Sequence, residues 1–235
     1  MTNRLSAIGS IYDVTSGSPK YRGSCSALGR PTHFVTAAHC VTGLPPDALR
    51  VNHVGHKDLP FSPVTSRHLF EPCDIAVLEA VVEDPKWVQP FTGISGAADW
   101  GEAVTTIGWP VGVLADQDQE ALRIFRGFIQ RAFLYTNSRG AKYSAYELNF
   151  PSPPGLSGSP LFADQDPRTL IGVMTENFST YTVEHSFEEE RSNGGIVRTE
   201  ARSVITYGVA ANPFHALEFL EAIIGVGHLN VAERE

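Results

Sequence analysis

Short apolar runs of strand length, broken by Gly and Pro at almost every boundary, most constrain what this chain can fold into. Ala7–Val14 is followed by the turn residues Ser16-Gly17-Ser18-Pro19. Ser24–Leu28 and His33–Thr36 flank Gly29-Arg30-Pro31, the pattern of a hairpin. Leu49–Val54, Val64–Leu69 and Ile75–Glu79 complete a first set of strands. Ala103–Ile107, Arg123–Tyr135, Ser144–Asn149, Pro160–Phe162, Leu170–Thr175 and Ser203–Ala210 form a second. Between the sets, Glu83–Gly101 is polar, carries Pro85 and Pro90, and reads as a crossover. The 21 Gly and 16 Pro supply the turns that many short strands require. This pattern predicts an all-β chain of two antiparallel barrels rather than alternating strands and helices. One element breaks it. Asn212 can cap a helix, Pro213 suits its first turn, Phe214, Leu217, Leu220 and Ile224 recur at helical spacing, and Gly225 suits its end.

Composition narrows the function classes. A net charge of −8 argues against nucleic acid as a partner, because that affinity rests on neutralising phosphates with Lys and Arg. No stretch approaches the ~20 apolar residues that span a bilayer, so no membrane role is expected. The chain opens on Met1 without a leader-like apolar region. The simpler expectation is therefore a cytoplasmic protein; a secreted one would need a leader already removed. The stretch Glu184–Arg191 reads as a solvated, charge-rich loop, or in a sharper reading as an exosite loop beside a cleft.

Three segments carry chemistry: Thr36-Ala37-Ala38-His39-Cys40, Asp74-Ile75-Ala76-Val77-Leu78 and Gly155-Leu156-Ser157-Gly158-Ser159-Pro160. Acyl transfer needs a nucleophile, a base to take its proton and a carboxylate to orient the base. Ser157, His39 and Asp74 supply these residue types. A hydroxyl is a weak nucleophile without a base, and an imidazole with its ordinary pKa near ~6.5 serves near neutral pH. Asp74 starts an apolar strand, and a carboxylate in such a place needs hydrogen-bond partners. No cofactor is expected. No metal is expected either: His53 and His56, with Asp58 nearby, lack a third strong ligand at a recognisable spacing.

The three segments, in the order His, Asp, Ser, resemble the chymotrypsin/trypsin-like serine peptidases. Ile107-Gly108-Trp109-Pro110 is similar to the strand opening the second barrel in bacterial HtrA-like and glutamyl-endopeptidase-like members, with no PDZ domain expected. The resemblance implies two six-stranded Greek-key barrels, residues 1–95 carrying His39 and Asp74 and residues 96–235 carrying Ser157, closed by a short C-terminal helix. It implies an oxyanion hole from the Gly155 and Ser157 N–H groups. Thr175 would be a second hydrogen-bond partner for Asp74. Gly172–Asn177 would pair with an extended peptide substrate. Pro151, Ser152, Thr175, Glu176 and Asn177, with Gly208 nearby, would line the substrate pocket.

Two departures from the family pattern matter. Leu156 stands where zymogen-type members carry an acid that pairs with a freed amine, so activity without N-terminal cleavage is expected. Pro151 stands where trypsins carry the acid that selects Arg or Lys, so an uncharged P1 residue is expected. Ser159 replaces a usual glycine. The resemblance pairs Cys25 with Cys40, a bridge that a reducing cytosol would leave as two thiols. Cys73 is left over, since three cysteines cannot all pair; strand alternation would turn it away from the Asp74 side as a small buried residue. The function expected is a serine endopeptidase acting on polypeptides, with a regulatory protein partner as a further expectation. The alternative is a catalytically silent or partner-gated peptide-binding module.

Overall fold

The computed structural model describes residues 4–53, 61–110, 122–190 and 195–232. Its first unit is a closed barrel of six strands in the order β1-β2-β3-β6-β5-β4. These are β1 (Ile8–Asp13), β2 (Lys20–Ala27), β3 (His33–Ala37), β4 (Leu49–His53), β5 (Ser62–Phe70) and β6 (Ile75–Ala80). Every neighbouring pair is antiparallel. The barrel interior is apolar, filled by Ile11, Phe34, Leu49, Val51, Leu78 and their neighbours.

The crossover holds a short strand, β7 (Gly93–Ser95), and then the second unit begins. It consists of β8 (Ala103–Gly108), β9 (Arg123–Thr136), β10 (Lys142–Leu148), β11 (Pro160–Ala163), β12 (Thr169–Glu190) and β13 (Ile196–Ala211). These run β11-β8-β9-β10-β13-β12, and a β11–β12 pairing closes the ring. The expected pair of six-stranded barrels is therefore present. Two strands depart from the all-antiparallel expectation. β7 lies parallel to β12, and β14 (Asn230–Ala232) lies parallel to β7. β7 thus hydrogen-bonds within the second sheet, although the sequence division at residue 95 assigned it to the first unit.

The charge-rich stretch is not a loop over Glu184–Glu190, and Arg191 lies outside the described residues. Glu184–Glu190 continues β12 as one arm of a long hairpin with β13. Opposite charges face each other across it, as in Glu188 opposite Arg198, and the β-branched residues Val197, Thr199, Val204 and Ile205 line the partner strand. Such cross-strand pairs favour a sheet over a solvated loop despite the local charge.

A further apolar cluster joins the barrels. Ile8, Leu28, Val35, Ile75 and Val77 of the first meet Ile107, Phe162, Val173 and Val209 of the second. Leu220 and Ile224 of α1 (Leu217–Ile224) pack into the same cluster. Asn212 caps this end of the chain as expected, accepting a bond from Phe214 N at 3.0 Å. A 3₁₀ turn over Pro213–Ala216 precedes the α-helical part, so the helix proper begins at Leu217 rather than at Pro213. Cys73 is buried in this cluster too, but from a 3₁₀ turn over Glu71–Cys73 rather than from a strand.

Gly158 marks where the units come closest. Its φ is +86°, and a Cβ there would collide with the Ser24 carbonyl and the Thr36 hydroxyl of the first barrel. Gly17 has a similar φ of +81° but faces open space. Gly158→Ala is expected to cost about 3 kcal/mol or more, because backbone strain and overpacking add. Gly17→Ala is expected to cost about 1 kcal/mol. Urea unfolding of both variants checks the contrast.

Candidate active site

His39 and Asp74 are brought together by one ladder. β3 pairs with β6 so that Thr36 faces Ala76 and Ala37 faces Ile75. One step further, Ala38 N donates to Asp74 O at 2.8 Å. Residues 35 apart in sequence thereby become neighbours, each just beyond the end of its strand. His39 lies in a 3₁₀ turn, and Asp74 takes a left-handed conformation with φ 53°. That conformation is uncommon outside glycine, and Asp and Asn tolerate it best. It aims both carboxylate oxygens at His39. Oδ1 accepts the His39 backbone N–H at 2.9 Å, and Oδ2 accepts Nδ1–H at 2.7 Å. Nδ1 is thus committed as a donor, which leaves Nε2 as the acceptor of a neutral ring.

Asp74 is only 2% exposed, while His39 is 23% exposed. Burial pushes the Asp74 carboxyl up to about 7, even against its two N–H donors.

Ser157 comes from the segment between β10 and β11. Leu156 N donates to Pro153 O at 3.0 Å, and Gly155 has φ +93°. With Pro154 and Gly155 at its centre this is a type II turn, which needs a positive φ at its third residue. Among the described residues, neither the Gly155 nor the Ser157 N–H donates a bond. The carbonyls face the other way, into the first barrel. Ser24 N donates to Ser157 O at 2.8 Å, and Tyr21 Oη donates to Gly155 O at 2.6 Å. Ser24 Oγ lies 3.0 Å from the same Gly155 oxygen. Gly158 N reaches Met174 O of β12 at 2.7 Å. Leu156 is fully buried among Val104, Ile129 and Leu161, an apolar anchor where a zymogen-type acid would stand.

The Ser157 hydroxyl donates to the Thr175 carbonyl at 3.0 Å rather than to His39. Thr175 is the extra residue of a β-bulge, since Met174 faces Ala210 and Glu176 faces Val209. Bulges re-aim the groups they carry.

Several expectations need correction. The Thr175 hydroxyl does not contact Asp74: it donates to Val209 O at 3.2 Å and accepts from Tyr143 Oη at 3.2 Å. The second partner of Asp74 is instead the His39 main-chain N–H. Cys25 and Cys40 are free thiols, not a bridge. Cys40 Sγ lies 3.7 Å from the Ser157 carbonyl, and burial pushes its pKa up to about 12, so the thiol stays protonated. The Glu176 carboxylate is engaged within the protein, accepting from Tyr135 Oη and Ser138 Oγ at 2.7 and 3.0 Å. Of the pocket residues, Pro151 is exposed, Ser152 is buried, and Asn177 is hydrogen-bonded to Ser152. No group of His, Cys, Asp and Glu suited to a metal occurs among the described residues, and His56 and Asp58 lie outside them.

Tyr21, Ser24 and Tyr143 were not legible as site residues. Each acts through a contact made across strands or barrels, and no local motif marks it. Burial raises the pKa of the Tyr21 and Tyr143 hydroxyls above the ordinary value, so both remain donors.

No protein-family model matches the chain, and no curated protein matches it in sequence. Solved structures do resemble it. The MamO protease domain from Magnetospirillum magneticum, in its apo form, superposes with a TM-score of 0.63 at 13% identity, covering 93% of this chain and 98% of that one. The active form of the Rv3671c protease from M. tuberculosis gives 0.62 at 16% identity, covering 96% and 85%. The HtrA-type protease AlgW with a decapeptide gives 0.64 at 17% identity, covering 96% and 66%. The chain has the fold of trypsin-like, HtrA-type proteases.

Two outcomes follow from the site's electrostatics and packing. The folded Asp74 carboxyl, at about 7, lies above the ~3.9 of an unfolded aspartate. Its contribution to stability is therefore full below pH ~4 and is lost as pH rises through about 7. Asp74→Asn, whose side chain suits the left-handed backbone, carries no such loss. The Tm difference, variant minus wild type, is expected to grow between pH 4 and pH 8. Separately, Ser159 Oγ is buried without a partner, so Ser159→Ala should leave Tm unchanged or raise it by scanning calorimetry.

Proposed function

We propose that the protein is a serine endopeptidase acting through an acyl-enzyme. The observation that carries this is the grip of Asp74 on His39, which leaves Nε2 as the acceptor, in a barrel whose Ser24 N–H is bonded to the Ser157 carbonyl. In this reading His39 Nε2 takes the Ser157 proton as Oγ attacks a peptide carbonyl, and Asp74 steadies the imidazolium. The free Gly155 and Ser157 N–H groups receive the oxyanion. His39 then protonates the leaving amine, and water releases the acyl group by the reverse steps.

The substrate is an extended polypeptide laid along the edge of β12 at Thr175–Asn177. Its N–H takes the Thr175 carbonyl, and the Ser157 hydroxyl, displaced from that acceptor, becomes available to His39. The buried Leu156 favours a ready-made enzyme that needs no freed N-terminal amine, and the lack of an acid at Pro151 favours an uncharged P1 residue. The same Ser157–Thr175 bond favours a second reading, a partner-gated or silent peptide-binding module in which the hydroxyl stays parked. A regulatory protein partner belongs to that reading.

A fluorophosphonate probe separates the two. Wild-type protein is expected to be labelled, and Ser157→Ala is not. Asp74→Asn should slow turnover by about 10⁴-fold through the wrong imidazole tautomer. Labelling should fall as pH drops below about 7, where the coupled His39–Asp74 pair gains a proton. Absence of wild-type labelling at any pH would favour the silent module.

A further inference from the structure

Asn177 does something the peptidase reading alone does not require. Its Oδ1 accepts the Ser152 N–H at 2.6 Å, and its Nδ2 donates to the Ser152 carbonyl at 2.6 Å. Both bonds go to the backbone of one residue, and only a carboxamide offers a donor and an acceptor matched to such a pair. The contact spans from β12 to the segment preceding Ser157, a sequence separation of 25 residues.

The position of this strut gives it a consequence. The β11–β12 ladder ends at Pro160 opposite Val173. Met174 pairs with Gly158 and Ser159, and Thr175 carries the carbonyl that holds Ser157 Oγ. Beyond it, no strand pairs with this edge of β12 among the described residues. An extended peptide on this edge sets the residue to be acylated over Ser157. Its side chain then enters the space between Thr175–Asn177 and Pro151–Ser152, the space that the Asn177 carboxamide crosses.

A second backbone contact lies next to the first. Gly208 N donates to Phe150 O at 2.7 Å. A Cβ on Gly208 would lie 2.7 Å from that oxygen and 3.3 Å from Met174 Cε. The three backbone segments that would wall a side-chain pocket are tied to one another.

We propose that Asn177 is a specificity-determining residue whose carboxamide shuts the slot beside Ser157, so that the protein cleaves only after glycine, alanine or serine. This rests on the peptidase reading.

The test compares full-length wild type, Asn177→Ala and Asn177→Asp on a peptide series differing only at P1, with fluorophosphonate labelling of Ser157 measured in each. Wild type should cleave after Ala and not after Leu or Phe. Asn177→Ala should raise the ratio of kcat/KM for Leu over Ala by about 30-fold or more, within the range by which a few methylenes are discriminated in a pocket. Asn177→Asp keeps the size of the side chain but loses the donor to the Ser152 carbonyl. It should widen the preference by less, and it serves if the alanine variant unfolds. Wild-type cleavage after Leu, Phe or Arg as fast as after Ala overturns the proposal. So does a P1 ratio that neither variant moves while Ser157 is still labelled. Absence of labelling in the wild type overturns the peptidase reading and this inference with it.

Discussion

The bracket between β2 and the turn carrying Ser157 is the interaction on which the rest of the site depends. Ser24 N holds the Ser157 carbonyl, and the Tyr21 and Ser24 hydroxyls converge on the Gly155 carbonyl. These are contacts from one barrel to the backbone of the other. They fix a turn whose Gly155 and Ser157 N–H groups donate no bond among the described residues. Close approach is the condition for it. A Cβ at Gly23 would lie 2.6 Å from Cys40 Sγ and 2.9 Å from the Ser157 carbonyl, and Gly158 is equally confined. The apolar cluster joining the barrels supplies the cohesion, and the bracket sets the register.

The His39–Asp74 pair is secured differently, within one barrel. A single antiparallel ladder carries the pairing to the last residue of each strand, and the left-handed turn at Asp74 supplies the angle. The cost is a carboxyl taken out of water, which is why burial raises its pKa. A strained, desolvated residue with both oxygens committed to one histidine is destabilising to the fold. Such conflicts between stability and site chemistry are expected where function resides.

Much of this was legible beforehand. Strand positions followed from short apolar runs between Gly and Pro, because turn residues punctuate a β chain wherever the backbone reverses. His39, Asp74 and Ser157 stood out because each lies in its own short motif. The miss at Glu184–Arg191 came from weighing local charge over cross-strand pairing, since the residues that make it a strand lie in β13. The expected Thr175–Asp74 contact failed because a bulge turns Thr175 toward Val209 and Tyr143 instead. One extra residue in a ladder leaves no reliable mark in composition.

Sequence by itself determined the all-β class, the two sets of strands, the closing helix and the three motif residues, all of which rest on local propensity and spacing. Only the tertiary structure decided that Tyr21 and Ser24 hold the turn carrying Ser157, that the three cysteines are free thiols, that Ser157 rests on Thr175, and that Asn177 is bonded to the Ser152 backbone. Those facts depend on groups far apart in the chain meeting within hydrogen-bond distance. Such meetings are set by ladder register and barrel packing, which no local pattern encodes.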